Sequence, residues 1–261
     1  MRVKPKKHLG QHFLKDENIS LEIVSSLRDL DKTGTVLEIG PGTGALTKYL
    51  SKKINHFLAF EIDKESIEFL TINYPNIKVV NQDILDYNFN LFKLKPVTII
   101  GNFPYNISSQ ILFKAVDYRN DVNQLVGMFQ KEVAERVVSP PGSKKYGILS
   151  VLIQAYFDTE YLFTVNEDAF IPPPKVKSGV IRLIRNNVVE LACDEKLFFK
   201  IVKTTFNQRR KMLRNSIKNI VGKSEFEHEF LTKRPEQLSV DNFITLTNFT
   251  ESIIKTTNSN Q

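Results

Sequence analysis

One cysteine, Cys193, stands in 261 residues, which excludes an internal disulfide framework and any cysteine-rich zinc module. It reads as a small core residue without a chemical role. No apolar run is long enough to span a bilayer: the longest, around Gly147–Phe157, is short and contains Gln154. The basic stretch Met1–Gly10 is not followed by an apolar segment of signal-peptide length. A soluble, cytoplasmic protein of a reducing compartment is expected, with no membrane partner. Internal repeats and low-complexity tracts are also missing. The four histidines, His8, His12, His56 and His228, lack metal-ligand spacing, so no metal is expected and no general base is assigned. What the chain does have is 41% hydrophobic residues, enough for a packed core in one large domain and a small one.

Acids are what two segments lack. Residues 1–15 hold Arg2, Lys4, Lys6, Lys7 and Lys15 with no acid, and residues 196–223 hold nine Lys or Arg with none. The net charge is +7, so the remainder of the chain is net acidic and the positive charge is local. A localised basic surface is the footprint of a polyanion partner. Charge alone does not name that partner, since a basic face is also a common way to be solvated.

From Thr35 to about Phe103 short apolar strands alternate with helix-compatible segments. The spacing predicts strands at Thr35–Ile39, Phe57–Glu61, Ile77–Asn81 and Val97–Gly101, and helices at Ala45–Lys53 and Lys64–Asn73. Such alternation argues for βαβ units and a parallel sheet covered on both faces. A helix near Ser108–Val116, a strand near Gln124–Gln130 and a helix near Tyr146–Ala155 follow. Two more strands, Tyr156–Val165 and Ser178–Leu183, flank the turn Pro172–Pro173–Pro174. The polar stretch Arg185–Asn187 marks a boundary, dividing the chain into 1–186, with a basic arm over 1–15, and an all-helical 187–261.

Within the first part, Val36-Leu-Glu-Ile-Gly-Pro-Gly-Thr-Gly44 is a strand entering a glycine-rich turn. Gly40, Gly42 and Gly44 allow a tight turn and close approach of backbone to a ligand. The turn lacks the Lys-Ser/Thr ending of a phosphate-binding loop, and its third glycine comes one residue early for the dinucleotide pattern. Alone it would serve equally as a structural turn. Glu61, however, lies 21 residues after Gly40 at the end of the second strand, where a carboxylate can accept from both ribose hydroxyls. Asp83 follows the third strand and is placed to contact an adenine amine. A nucleoside without a phosphate-binding lysine favours S-adenosylmethionine over ATP or NAD.

Asn102-Phe-Pro-Tyr105 ends the fourth strand. An exocyclic adenine amine is a poor nucleophile, because its lone pair is delocalised into the ring. The Asn102 amide oxygen and a backbone carbonyl near Phe103 can each accept one of its N–H groups, which would aim the lone pair and stabilise the developing charge. Pro104 stiffens the turn, and Tyr105 offers an aromatic face to an extracted base. The plainer reading is a strand-ending turn with a core tyrosine. Lys196–Lys218 reads as one helix. Lys196, Lys200, Lys203, Arg210, Arg214 and Lys218 form a stripe along it, and Phe198, Val202, Phe206, Leu213 and Ile217 form an apolar face expected to pack on the catalytic domain. The candidates there for contact with a polyanion, RNA on the resemblance that follows, are Lys203, Arg209, Arg210, Lys211, Arg214 and Lys218, with the basic arm contributing and ordering on binding.

Taken together the motifs resemble the ribosomal RNA adenine N6,N6-dimethyltransferases, the kasugamycin-sensitivity family of small-subunit rRNA enzymes. The resemblance runs from Lys6 to about Asn219. It rests on Lys7-His-Leu-Gly-Gln-His-Phe-Leu14, the glycine turn, Asn102-Phe-Pro-Tyr-Asn-Ile-Ser108 and Gln130-Lys-Glu-Val-Ala-Glu-Arg136. It continues through Lys145-Tyr-Gly147, Phe170-Ile-Pro-Pro-Pro-Lys-Val-Lys-Ser178 and Phe206-Asn-Gln-Arg-Arg-Lys211 with Leu213-Arg-Asn215. It implies a Rossmann-like class I methyltransferase α/β sheet with helices on both faces and a small C-terminal all-α domain. It further implies cofactor contacts at His12, Leu14, Gly40, Glu61, Asp83 and Asn102, to which Gly42 is added from the turn, and base stacking by Tyr105 and Phe170. The implied substrate is a pair of adjacent adenosines in a stem-loop near the 3′ end of 16S rRNA, each methylated twice, in the immature small subunit, by a monomer with a role in assembly. Two positions depart from the pattern: Phe103 stands where Leu is usual, and His12 where Asn is frequent. Two rival expectations remain, a macrolide-resistance type 23S rRNA methylase and a non-catalytic assembly factor on the same scaffold.

Overall fold

A computed structural model describes residues 3–30, 34–89, 96–222 and 226–259, with side chains described through residue 257. Arg2 and Lys223, counted above in the basic segments, lie outside the described residues. In chain order the elements are β1 (Phe13–Leu14), α1 (Glu17–Ser25), β2 (Thr35–Ile39), α2 (Thr47–Lys53), β3 (Phe57–Glu61), α3 (Lys64–Asn73), β4 (Lys78–Asn81) and β5 (Val97–Asn102). Then come α4 (Ser108–Asp117), β6 (Val122–Gln130), α5 (Lys131–Val138), α6 (Ile148–Gln154), β7 (Phe157–Val165), β8 (Phe170–Ile171) and β9 (Ser178–Arg185). The chain finishes with α7 (Glu195–Asn207), α8 (Leu213–Val221) and α9 (Val240–Ser259). Among the described residues no helix is long and apolar enough to cross a membrane.

Seven strands form one sheet in the order β4-β3-β2-β5-β6-β9-β7. Pairing is parallel from β4 through β6, and β9 runs antiparallel to both β6 and β7. This is the α/β sheet of class I methyltransferases. All five residues of β2 are buried, and so are Val97–Gly101 of β5, as expected of parallel strands covered on both faces. The order reverses between β2 and β5, so the crevice for a ligand opens at their carboxyl ends. The candidate site residues Gly40 and Asn102 stand at those two ends.

A separate two-stranded ladder pairs Phe13 with Ile171 and Leu14 with Phe170. It ties the N-terminal segment to the proline-rich turn, a pairing too distant in sequence for local pattern to show. The helix α1 also escapes the hydrophobic pattern, although its start carries a standard signal: Asp16 accepts from the Asn18 N–H at 2.9 Å and the Ile19 N–H at 3.2 Å.

The chain divides into two compact units, Met1–Glu135 with Phe157–Arg185, and Arg136–Tyr156 with Asn186–Gln261. The second unit is interleaved in sequence with the first, for which order along the chain gives no cue. Within it, Phe198, Val202, Phe206, Leu213 and Ile217 are buried. Phe206 packs on Tyr146 of the 136–156 segment (centroids 6.1 Å) and on Phe243 of α9 (5.9 Å). The partners seen for this apolar face are aromatics of its own unit, one of them, Tyr146, inside the 1–186 part on which the sequence led us to expect it to pack.

The single helix expected over Lys196–Lys218 is instead two, α7 and α8, separated by the turn Gln208–Met212. The cause is tertiary. The Leu213 N–H donates to the Lys233 carbonyl at 2.8 Å rather than to a carbonyl one turn earlier, and the Lys211 N–H closes onto Gln208 O at 2.8 Å. The helical phase does not carry across, so the basic stripe becomes three groups: Lys196, Lys200 and Lys203 on α7, Arg209–Lys211 in the turn, and Arg214 and Lys218 on α8. Cys193 is half-buried rather than in the core, and burial raises its thiol to about 11.

Candidate active site

The turn after β2 places Gly42 at φ +55, where a side chain would be strained and would meet the Phe13 ring at 2.8 Å. Its free N–H donates to Glu61 Oε2 at 3.0 Å. Glu61 Oε1 accepts from the Ile62 N–H at 2.8 Å and the Asp63 N–H at 2.9 Å. Burial raises the Glu61 carboxyl above its ordinary value, and the three backbone donors oppose that rise. The carboxylate is thereby held rigidly at the end of β3 with acceptor capacity left on Oε2. Asp83, two residues past β4, accepts the Leu85 N–H at 2.8 Å with one oxygen.

At the end of β5 the Asn102 amide Nδ2 donates to the His12 carbonyl at 2.9 Å. That bond fixes which end of the amide is nitrogen and turns Oδ1 the other way. Past it the chain tightens: Pro104 O accepts from Ser108 Oγ at 3.1 Å and from the Ile107 N–H at 3.2 Å. The Phe103 N–H donates to Met128 O at 3.2 Å. No described residue donates to Asn102 Oδ1 or to the Phe103 carbonyl. Both acceptors thus lack a donor among the described residues.

Phe103 itself is buried and packs on Phe129 with centroids 5.0 Å apart. Its ring lies over Gly101 and Gly127, which are cross-strand partners in β5 and β6. A Cβ on Gly127 would come within 2.0 Å of the ring, and one on Gly101 within 2.7 Å. The Phe in place of Leu is accommodated by this glycine floor.

Tyr105 bonds Ser178 Oγ at 2.6 Å, and its ring lies 5.6 Å from that of His12 at 31°. Burial raises its hydroxyl above the ordinary value. His12 Nδ1 contacts the Pro172 carbonyl at 2.7 Å, and as a carbonyl only accepts, this nitrogen carries the proton.

A cavity of ≈ 190 Å³ is lined by His12, Leu14, Gly40, Gly42, Glu61, Asp83 and Asn102, and also by Pro104 and Tyr105. Every cofactor residue named from the sequence borders this one space. Phe170 does not. It is buried in the core cluster around Leu14 and Val180, its backbone paired with Leu14, and so backs the cavity wall from behind. Of the candidates for RNA contact, Arg210, Lys211, Arg214 and Lys218 are exposed, as is Lys203, whereas Arg209 is half-buried. Arg209 Nη2 donates to Ser143 O at 3.3 Å, and Arg209 Nε lies 3.7 Å from Glu236. It fastens the loop around Ser143 to the turn.

Several contributors were not among the sequence candidates. Leu9, Gly10 and Gln11 line the cavity from the arm. Ile62, next to Glu61, lines it while 46% exposed, an apolar side chain at a strand end that a search of the loop would have found. Glu38 lines it too, fully buried, accepting from Thr47 Oγ1 at 2.6 Å, its carboxyl pushed up to about 8 by burial. An acid inside the apolar strand Val36-Leu-Glu-Ile39 was its signal. Among the described residues no Lys or Arg lines the cavity, while three carboxyl side chains do. That suits a cationic, phosphate-free nucleoside.

The ribosomal RNA adenine dimethylase model matches residues 2–252. The chain belongs to that family. The ribosomal RNA small subunit methyltransferase A of Flavobacterium johnsoniae is 56% identical over 250 residues, 94% of this chain and 95% of that protein. The protein of the same description from Bacteroides thetaiotaomicron is 54% identical over 259 residues, 97% of each. Among solved structures, a dimethyladenosine transferase from Plasmodium falciparum superposes with TM-score 0.76 at 24% identity, covering 93% of this chain and 98% of that one. The 23S rRNA methyltransferase ErmE does so with TM-score 0.66 at 25% identity, covering 90% and 99%. This dimethylase therefore is an S-adenosylmethionine-dependent methyltransferase of ribosomal RNA.

Proposed function

We propose that this dimethylase transfers methyl groups to N6 of two adjacent adenosines in a stem-loop near the 3′ end of 16S rRNA, giving N6,N6-dimethyladenosine. It acts in the cytoplasm, as a monomer, on the immature small subunit, with a role in that subunit's assembly. The observation that carries the reading is the orientation of Asn102. Its NH₂ end is taken by the His12 carbonyl, so Oδ1 and the neighbouring Phe103 carbonyl are the groups that receive the two N–H bonds of an adenine amine.

In this reading the first cavity holds the donor, with Glu61 taking the ribose hydroxyls, Asp83 the adenine amine, and Gly40, Gly42, Leu14 and His12 shaping the wall. Bound S-adenosylmethionine supplies an electrophilic methyl carbon on a positively charged sulfur. The target base enters from an adjoining cavity, which shares Gly10, Gln11, His12 and Tyr105 with the first and is otherwise walled by Pro5, Lys7, Gln130 and Pro172–Val176. Tyr105 stacks on the flipped base, its ring steadied by Ser178. Pro104 holds the turn rigid. Asn102 Oδ1 and the Phe103 carbonyl hold the amine so that its lone pair faces the methyl group, and they stabilise the positive charge that grows on nitrogen. The nitrogen–carbon bond forms as the carbon–sulfur bond breaks, the sulfur keeps the electron pair, and the amine proton leaves to water. Phe170, buried behind the wall, supports the pocket without stacking on the base. Lys203, Arg210, Lys211, Arg214 and Lys218 contact RNA phosphates, with Arg209 holding the turn that presents them.

The small-subunit target is favoured over the large by the descriptions of the relatives at 54–56% identity, against 25% for the 23S enzyme. The test is mass spectrometry of both rRNAs after incubation of ribosomal precursors with protein and labelled S-adenosylmethionine. Dimethyladenosine in small-subunit rRNA is expected. Product confined to large-subunit rRNA, or none in either, contradicts the proposal.

A further inference from the structure

The basic arm, on sequence grounds an RNA-binding tail, is built into the first unit. Val3 is buried, Lys7–Leu9 form a turn of 3-10 helix, and Leu9, Gly10, Gln11 and His12 all line the first cavity. What fastens them is one carboxylate that no role described above uses. Asp63 opens α3 two residues after Glu61, and its side chain is 1% exposed. It accepts from the Lys6 ammonium, from Ser66 Oγ at 2.9 Å and, weakly, from Gln11 Nε2 at 3.4 Å. Lys6 also lies 3.3 Å from Glu65, and the Lys6 N–H donates to Gln11 Oε1 at 2.8 Å. The arm is therefore cross-braced on Asp63 at its two ends, with Gln11 bonded to both.

We propose that Asp63 is a positioning residue, which with Lys6 fastens residues 9–12 as a wall of the methyl-donor cavity, and that Lys6 serves the donor site rather than RNA phosphates. The inference rests on the reading of that cavity as the donor site. Two connections lead from Asp63 to the chemistry. Its own N–H donates to Glu61 Oε1, so the acid that fastens the arm and the acid that takes the ribose are bonded to each other. At the arm's far end the His12 carbonyl holds the Asn102 amide. Loosening the arm removes four wall residues and frees Asn102 to rotate. Charge explains the choice of partners. Burial raises the Asp63 carboxyl, but Lys6, Ser66 and Gln11 outweigh it and hold it below the ordinary range. A buried anion so placed has Lys6 as its one cationic partner among the described residues, and Lys6 engaged with it is not offered to phosphate.

The experiment measures donor binding by calorimetry and binding of a small-subunit rRNA fragment at fixed salt. The proteins compared are the full chain, Lys6→Gln, Lys6→Arg and Asp63→Asn. Lys6→Gln and Asp63→Asn should raise the donor Kd roughly five- to tenfold, about the scale of losing one hydrogen bond of ordinary strength. RNA affinity should stay within about twofold, and Lys6→Arg should restore donor binding. Amide hydrogen exchange in residues 9–12 should quicken in the two weakened variants, a readout independent of turnover. Should Asp63→Asn fail to fold, Lys6→Gln decides, because Lys6 is part-exposed and its loss leaves the core intact. Donor affinity unchanged in Lys6→Gln, or RNA affinity falling while donor affinity holds, overturns the inference and makes Lys6 an RNA contact. If the unaltered protein binds no donor, the reading of the cavity falls and this inference with it, an outcome distinct from equal binding by all four proteins.

Discussion

The ring of Phe103 offers the sharpest perturbation of the fold beneath the site. Gly127 stands opposite Gly101 across β5 and β6, and a methyl group added at 127 would sit 2.0 Å from Phe103 Cε2, with two more ring atoms within 2.8 Å. The ring has no room to yield, because it is 1% exposed and braced by Phe129. Gly127→Ala is thus an overpacking substitution, and such insertions in a tight core destabilise by about 1–3 kcal/mol. For the first unit that corresponds to a fall in Tm of roughly 3–10 °C. The Phe103 carbonyl must also shift, so the saturating rate of methyl transfer should drop together with stability. Phe103→Leu alone leaves a void over the two glycines and costs about 1–2 kcal/mol. Combined with Gly127→Ala, it gives the new methyl space. The double variant should therefore be more stable than the sum of the single losses predicts, by about 1 kcal/mol or more. Thermal unfolding followed by circular dichroism, paired with a methyl-transfer assay, reads both effects. Strict additivity, or a Gly127→Ala protein as stable as the unaltered one, would refute the steric argument.

Three further expectations follow from particular side chains. Burial pushes Glu38 up to about 8, while the unfolded chain ionises it near the ordinary value of 4.5. Its destabilising contribution therefore grows as pH rises between these values and is constant above them. Glu38→Gln should show a smaller loss of stability from pH 5 to pH 8 than the unaltered protein, and an identical pH profile would contradict this. Tyr105→Phe keeps the aromatic face and loses only the Ser178 bond, so kcat/KM for RNA should fall by no more than about tenfold. Tyr105→Ala loses the stacking and should fall by roughly 10- to 100-fold. Equal losses in the two would remove stacking from the account. Arg210→Ala should reduce the salt dependence of RNA affinity by about 0.7–0.9 log units per decade without changing Tm. Arg209→Ala, which releases Ser143 and Glu236, should lower Tm as well, and indistinguishable variants would contradict the division of labour drawn between them.

The parts of this protein that were legible in its sequence share a physical cause. β2, β3 and α3 were bounded correctly because parallel strands buried on both faces are predominantly apolar runs, and because α3 begins directly after a strand-ending turn. The residues at three successive strand ends, Gly40, Glu61 and Asp83, were legible for the same reason. A parallel sheet puts its carboxyl ends on one rim, so order along the chain becomes proximity in space. What failed was non-local. The break between α7 and α8 depends on the Lys233 carbonyl twenty residues beyond Leu213, and the arm's place depends on Asp63 and on the β1–β8 ladder. Phe170 lies in the same short segment as the proline turn, yet the register that pairs it with Leu14 turns it to the core rather than to the rim. Residue type and motif could not distinguish those two faces, because a one-residue shift reverses them.

In the proposed chemistry the amide oxygen of Asn102 accepts from the amine that attacks. The most direct test measures methyl transfer by Asn102→Ala at saturating donor, with donor affinity determined separately by calorimetry. The saturating rate should fall by roughly 10²- to 10³-fold, the scale of removing one oriented group that stabilises charge at the reacting atom. A saturating rate equal to that of the unaltered protein would contradict the account.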